Sequence, residues 1–138
     1  KRLSKSEYLA RYRVADLFLD THPYNAGTTA SDALRMGLPV LTYLGSSAVS
    51  RHAASILNAL NLPELITATE EEYEKLAIEL AKDPEKLKNI KDKLVGNLPI
   101  APLYDTPMFT RHLESAYSMM YDRYQRGLDP DHIYAESI

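Results

Sequence analysis

Residues 15–43 read ADLFLDTHPYNAGTTASDALRMGLPVLTY, and the succession of residue types in this stretch decides the fold class. Ala15 to Asp20 is a short apolar run bounded by turn formers, the pattern of a strand buried on both faces. Thr21 to Gly27 follows as a loop containing Pro23, Asn25 and Gly27. A helix is expected from Thr28 to Met36, with Gly37 at the C′ position where a left-handed residue ends a helix. Pro39 to Tyr43 returns as a second strand and leaves through the turn Gly45-Ser46-Ser47. A strand, a helix and a strand in that order predict parallel strands joined by a right-handed crossover.

Working outward, Ser4 and Glu7 have capping-box spacing and predict a short helix from Lys5 to Val14. Downstream, Ser50 to Leu60 reads as a helix with Ala53, Ala54, Leu57 and Leu60 on one face, and Glu64 to Thr67 as a third short strand. Thr69 and Glu72 form a second capping box, opening a helix that ends near Lys82. Asp83-Pro84 is an N-cap followed by Pro at N1, starting a helix expected to stop before Gly96. A loop spans Asn97 to Asp105, and Thr106-Pro107 opens the longest helix, to Arg126, closed by Gly127. Residues 128–138 have no periodicity and read as a surface strap or frayed end. Three strands are few for a doubly wound sheet, whose common form has five or six. The expected architecture is therefore a partial, Rossmann-like parallel sheet followed by C-terminal helices, with residues 1–127 as one lobe and 128–138 as its tail.

The bulk composition narrows the function classes. The chain has 138 residues, room for one domain, with 45% apolar and 25% charged residues, a composition that buries a core. No apolar run approaches the ~18 residues of a membrane-spanning helix, so no membrane partner is expected. Cysteine is absent, which excludes disulfides and thiolate chemistry. His22, His52, His112 and His132 stand far apart in no ligand-spaced pair, so no metal site is expected. A net charge of −3 gives no general basis for binding nucleic acid. With Lys first and no signal or transit pattern, the sequence reads as a piece of a longer, cytoplasmic chain.

The chemistry-bearing segment is DTHPYNAGTTASD, Asp20 to Asp32. It leaves the C-terminal end of a strand and enters a helix, where open α/β sheets bind their ligands. Gly27 allows close backbone approach. Thr28 and Thr29 place two hydroxyls beside the free N–H groups of the first turn, an anion site suited to a diphosphate. Asp32 lies one turn later on the same face and is placed to accept hydrogen bonds from a ribose diol. The same residues also make an ordinary helix start, with Thr as N-cap and Asp serving the dipole. Spacing alone does not separate the two readings.

Residues 16–57 resemble the donor-binding region of the O-linked N-acetylglucosamine transferase family, glycosyltransferase family 41. That family has a strand ending LDT, then N-x-x-T-T-x-x-D-x-L, then G-x-P-[VM]-[LV]-T, then S-R-x-A-A-S. Here the matches are Leu19, Asp20, Thr21, Asn25, Thr28, Thr29, Asp32, Leu34, Gly37, Pro39, Thr42, Ser50, Arg51, Ala53, Ala54 and Ser55. The helix EEYEKLAIELAKD, the loop PLYDT and the segment PDHIY also have counterparts. The resemblance implies the C-terminal end of a GT-B enzyme.

On that resemblance Thr28 and Thr29 bind the donor diphosphate, Asp32 the ribose, and Lys5, Tyr8 and Arg11 meet the uridine. The solvated helix surface is the plain alternative for Lys5 and Arg11, and a core-facing position for Tyr8. Two positions depart from the family: Tyr8 stands where a His is usual, and Gly27 where the best-known members have a His before the Thr pair. Tyr can replace His as a stacking or edge contact to a base. The second departure leaves the sugar open. The implied activity is inverting, metal-independent transfer of a sugar, N-acetylglucosamine first, from a UDP donor to protein Ser or Thr, without a cofactor. The alternatives are transfer of glucose to protein Asn, a non-catalytic nucleotide-binding module, and a structural α/β domain. The implied partners are the UDP-sugar, an acceptor protein, an upstream lobe and tetratricopeptide repeats. No catalytic base is assigned. Arg51 reads as a loop bridge, His52 as a surface residue, and Ser46-Ser47 as a turn. The stripe Leu113, Tyr117, Met120, Tyr121, Tyr124 reads as core or lobe-packing surface.

Overall fold

A computed structural model describes residues 3–135. The chain divides into two compact units, Lys1–Ala101 and Pro102–Ile138.

In the first unit, helix α1 (Lys5–Ala10) starts at Ser4, whose hydroxyl accepts from the Glu7 amide while Glu7 reaches back to the Ser4 amide, the reciprocal box expected from the spacing. Its last turn tightens into a 3₁₀ segment, Arg11–Val14. Strands β1 (Phe18–Leu19), β2 (Val40–Tyr43) and β3 (Ile66–Thr67) form a parallel sheet in the order β1-β2-β3. Phe18 pairs with Val40, and Thr42 with Ile66. Helix α2 (Thr28–Arg35) joins the first two strands; a 3₁₀ turn (Ala48–Arg51), helix α3 (His52–Ala59) and a second 3₁₀ turn (Pro63–Leu65) join the last two. Helices α4 (Glu70–Lys82) and α5 (Pro84–Asn97) follow.

The central strand behaves as a doubly covered strand should: Val40, Leu41 and Thr42 are buried. Leu34, Leu57, Leu65, Leu80 and Leu94 complete a leucine-rich core supplied by every long element of this unit. The first strand departs from expectation. Only Phe18 and Leu19 pair, and Leu19 remains 54% exposed. Among the described residues β1 is an edge, with a partner on one side alone, so the burial on both faces predicted for Ala15 to Asp20 does not occur.

Helix ends follow local rules closely. Gly37 has φ +81°, and Leu38 N–H donates to Ala33 O while Gly37 N–H donates to Leu34 O, closing α2 in a Schellman motif. The same pair of bonds closes α3, with Asn61 (φ +55°) in the left-handed position. Two local expectations fail. The Thr69 hydroxyl caps Glu72 N–H as predicted, but the Glu72 carboxylate takes the Ala68 amide instead of its own cap residue. Helix α5 continues through Gly96 to Asn97, whose side-chain amide donates to Leu60 O at 2.8 Å and holds the last turn.

In the second unit, helix α6 (Thr106–Gln125) is capped by the Asp105 carboxylate on Met108 N–H and closed by Gly127 at φ +65°. None of its residues is buried. Arg123 donates to the Asp129 carbonyl and pairs with Asp131 at 3.4 Å, so the start of the tail is strapped to the end of α6. The last three residues of the predicted tail, 136–138, lie outside the described residues.

Candidate functional site

The loop between β1 and α2 is held from below by one buried carboxylate. Asp20 Oδ1 accepts the Thr21 amide at 2.9 Å and the Ala26 amide at 2.8 Å, while Oδ2 accepts the Thr42 hydroxyl of β2 at 2.7 Å. The Tyr73 hydroxyl of α4 donates to Asp20 O at 2.9 Å, and burial pushes this phenol's pKa up, with the neighbouring Asp20 charge adding to it. Asn25, almost wholly buried, donates its amide to Thr21 O and its backbone N–H to Val49 O. The loop is thereby tied to both strands' C-terminal ends, and the start of α2 is presented at that edge of the sheet.

At that start the structure bears on one part of the plain helix-start reading, the threonines as N-caps. Gly27 is the N-cap, and no side chain caps the helix. Thr28 and Thr29 are the first two helical residues and both are exposed. Their N–H groups have no intrahelical acceptor by position, and Gly27 has no side chain to provide one. The threonines therefore do not serve as caps.

Of the residues expected to meet uridine, Tyr8 alone lies in a cluster that reaches α2, through Tyr12. Tyr8 and Tyr12 of the N-terminal segment meet edge to face, rings 5.6 Å apart, with hydroxyls 2.6 Å from each other. The Tyr12 hydroxyl reaches the Thr29 carbonyl at 3.5 Å. Burial raises the Tyr12 pKa, and the hydrogen bond to Tyr8 and the nearby Asp32 charge raise it further. Tyr8, Tyr12, Thr29 and Asp32 thus form one neighbourhood. Tyr8 is exposed, so it is not a core-facing residue. Lys5 and Arg11 are exposed, and no bond draws them to α2. Tyr12 was missed in the sequence; its i, i+4 spacing from Tyr8 was the available signal.

Further round the same edge, the His22 ring lies 4.3 Å from that of Tyr43. Gly45 is required by close approach, since a Cβ there would sit 2.3 Å from the Ser50 hydroxyl. Arg51 donates to Gly45 O at 3.2 Å, the loop bridge expected of it. His52, read as a surface residue, is exposed, yet its Nδ1 lies 3.7 Å from where a Cβ on Gly27 would stand. His52 also lines a cleft of about 510 Å³, together with Leu44, Arg51, Ser55, Asn58 and Ile66 among others.

Comparison with known proteins puts a family to this geometry. The family described as Glycosyl transferase family 41 matches residues 2–113. A probable UDP-N-acetylglucosamine–peptide N-acetylglucosaminyltransferase SPINDLY of Hordeum vulgare is 37% identical over 90% of this chain and 13% of its own length. The UDP-N-acetylglucosamine–peptide N-acetylglucosaminyltransferase of Caenorhabditis elegans is 35% identical over 94% of this chain and 11% of its own. A solved structure of a mutant O-GlcNAc transferase from Thermobaculum terrenum superposes with a TM-score of 0.81 at 36% identity, covering 91% of this chain and 24% of that one. The chain thus spans about an eighth of the curated relatives it matches. Its three-stranded parallel sheet and helices match the C-terminal GT-B lobe of the O-GlcNAc transferase fold. An uncapped helix start raised on a pinned loop at the carboxyl edge of a parallel sheet, with sequence and fold matching along nine-tenths of its length, assigns this chain to glycosyl transferase family 41.

Proposed function

We propose that this chain is the donor-binding lobe of a UDP-sugar glycosyltransferase acting on protein. The observation that carries the reading is the start of α2: two exposed threonines on an uncapped helix N-terminus, anchored through Asp20. A diphosphate supplies the acceptor oxygens that these amides and hydroxyls lack, and the helix dipole favours its charge. As the bond to the sugar breaks, negative charge grows on the departing UDP, and donors already in place stabilise it without reorganisation. In this reading the helix terminus and hydroxyls take up the leaving-group charge, and transfer to a Ser or Thr hydroxyl inverts the anomeric carbon without a metal or other cofactor. Asp32 accepts from the ribose, and Tyr8 with Tyr12 borders the base. N-acetylglucosamine is the first donor to test because the relatives carry it in their names. The remaining lobe, any tetratricopeptide repeats and a cytoplasmic location belong to the same proposal.

Transfer from UDP-N-acetylglucosamine to acceptor protein, assayed by mass spectrometry in the intact enzyme with and without EDTA, tests it directly. Transfer unaffected by chelation, with the product's anomeric configuration inverted by NMR, is the expected result. Asp32→Asn should weaken UDP about 10-fold or more and leave pyrophosphate unchanged, a charged hydrogen bond being worth ~1.5–3 kcal/mol. Equal losses for both ligands would return Asp32 to the role of helix residue. Absence of any UDP binding would remove the donor reading altogether.

A further inference from the structure

The helix start described above is not flanked by its own loop alone. Helix α3 packs against α2, and its first residue is His52. A Cβ built on Gly27 meets a single neighbour within 4 Å, the Nδ1 of His52 at 3.7 Å. That is ordinary van der Waals contact, so Ala fits at position 27, while a longer side chain directed the same way meets the imidazole. The residue beside the α2 N-cap thus comes from across the fold, 25 positions downstream. The ring nitrogens of His52 bond to no described residue, and His52 also lines the cleft with Arg51, Ser55 and Asn58.

We infer that His52 is a donor-binding residue, its imidazole donating a hydrogen bond to the diphosphate held at the start of α2. The inference rests on the proposed donor role of that helix. Gly27 is what makes it possible: a glycine leaves room for an imidazole that reaches in from α3, and a large residue at 27 excludes it. Positions 27 and 52 therefore exchange one function, and only one of them can hold a bulky donor at a time.

The test is a cycle between the two positions in the intact enzyme, reading UDP and uridine affinity by calorimetry and donor KM in the transfer assay. His52→Ala should weaken UDP about 10-fold and leave uridine, which has no phosphate, unchanged. His52→Gln, which keeps an N–H, should recover part of the loss. Gly27→Ala should bind UDP as wild type. Gly27→His alone should bind poorly, because two rings claim one space, and Gly27→His/His52→Ala should regain UDP affinity. His52 is exposed at a helix start, so thermal midpoints should stay within a few degrees of wild type across the His52 series. Wild-type UDP affinity in His52→Ala overturns the inference, as does a double variant no better than Gly27→His. Thr28→Ala/Thr29→Ala, run in parallel, separates the two levels. If the threonine variant loses UDP and His52→Ala does not, this inference alone fails; if neither loses UDP, the donor reading fails with it.

Discussion

Thr28 and Thr29 illustrate how one position along a helix changes what a side chain is for. A Thr at the N-cap accepts a backbone N–H, and its replacement by Ala costs about 0.5–2 kcal/mol. One and two residues later that bond is not available, and Gly27 holds the cap instead. Exposed Thr→Ala changes inside the first turn should leave stability within about 0.5 kcal/mol, because Ala is the better helix former and no contact is lost. On the proposed function the same double change removes two charge-assisted contacts to a diphosphate. At ~1.5–3 kcal/mol each, kcat/KM should fall by roughly two to four orders of magnitude. Thermal unfolding and transfer rate measured on one double-Ala sample decide it. A sample that melts as wild type and transfers sugar at the wild-type rate would leave the pair without a role.

At the scale of elements, the β1–α2 loop is rigid for a reason local rules do not contain. Its carboxylate staple, Asp20, joins the loop amides of Thr21 and Ala26 to the Thr42 hydroxyl on the neighbouring strand. Tyr73 of α4 adds a bond to the Asp20 carbonyl. Asp20→Ala leaves the buried Thr42 hydroxyl and the Ala26 amide without their acceptor, at ~1–3 kcal/mol per group. The expected loss is about 3 kcal/mol in urea unfolding, with faster amide exchange at Ala26. A loss below about 0.5 kcal/mol would mean that the loop is held by Asn25 and backbone bonds alone.

For the whole molecule, the relevant feature is apolar surface left uncovered among the described residues. On α6, Phe109, Tyr117, Tyr121 and Tyr124 are each between 59% and 76% exposed. The stripe predicted as core or lobe-packing surface is thus not core. At the other end of the chain, β1 is a strand edge with Leu19 exposed. Uncovered apolar helix faces and open strand edges both drive association. The 138-residue chain should therefore self-associate at micromolar concentration in sedimentation, and Tyr117→Lys/Tyr121→Glu should shift it toward monomer. A chain that sediments as monomer throughout, with or without those changes, would show that these surfaces are individually too weak to dimerise. Among the described residues no helix is long and apolar enough to cross a membrane.

The order of elements, most helix caps, the parallel α/β class and the family are all legible along the chain. Those signals are short in range. Ser4 with Glu7, Asp83 with Pro84, and Gly37 after Met36 act within four residues of chain, where backbone geometry leaves few alternatives. The colinear block from Leu19 to Ser55 is equally a property of the string. What those elements meet depends on packing in three dimensions. That packing made β1 an edge, so its apolar run is half exposed, and let an amide from Asn97 draw α5 past Gly96. Above all it set His52 over Gly27 and Tyr12 beside Thr29. These pairs are 25 and 17 residues apart, and their meeting depends on how the crossover helices pack on the sheet, which no local pattern of residue types specifies.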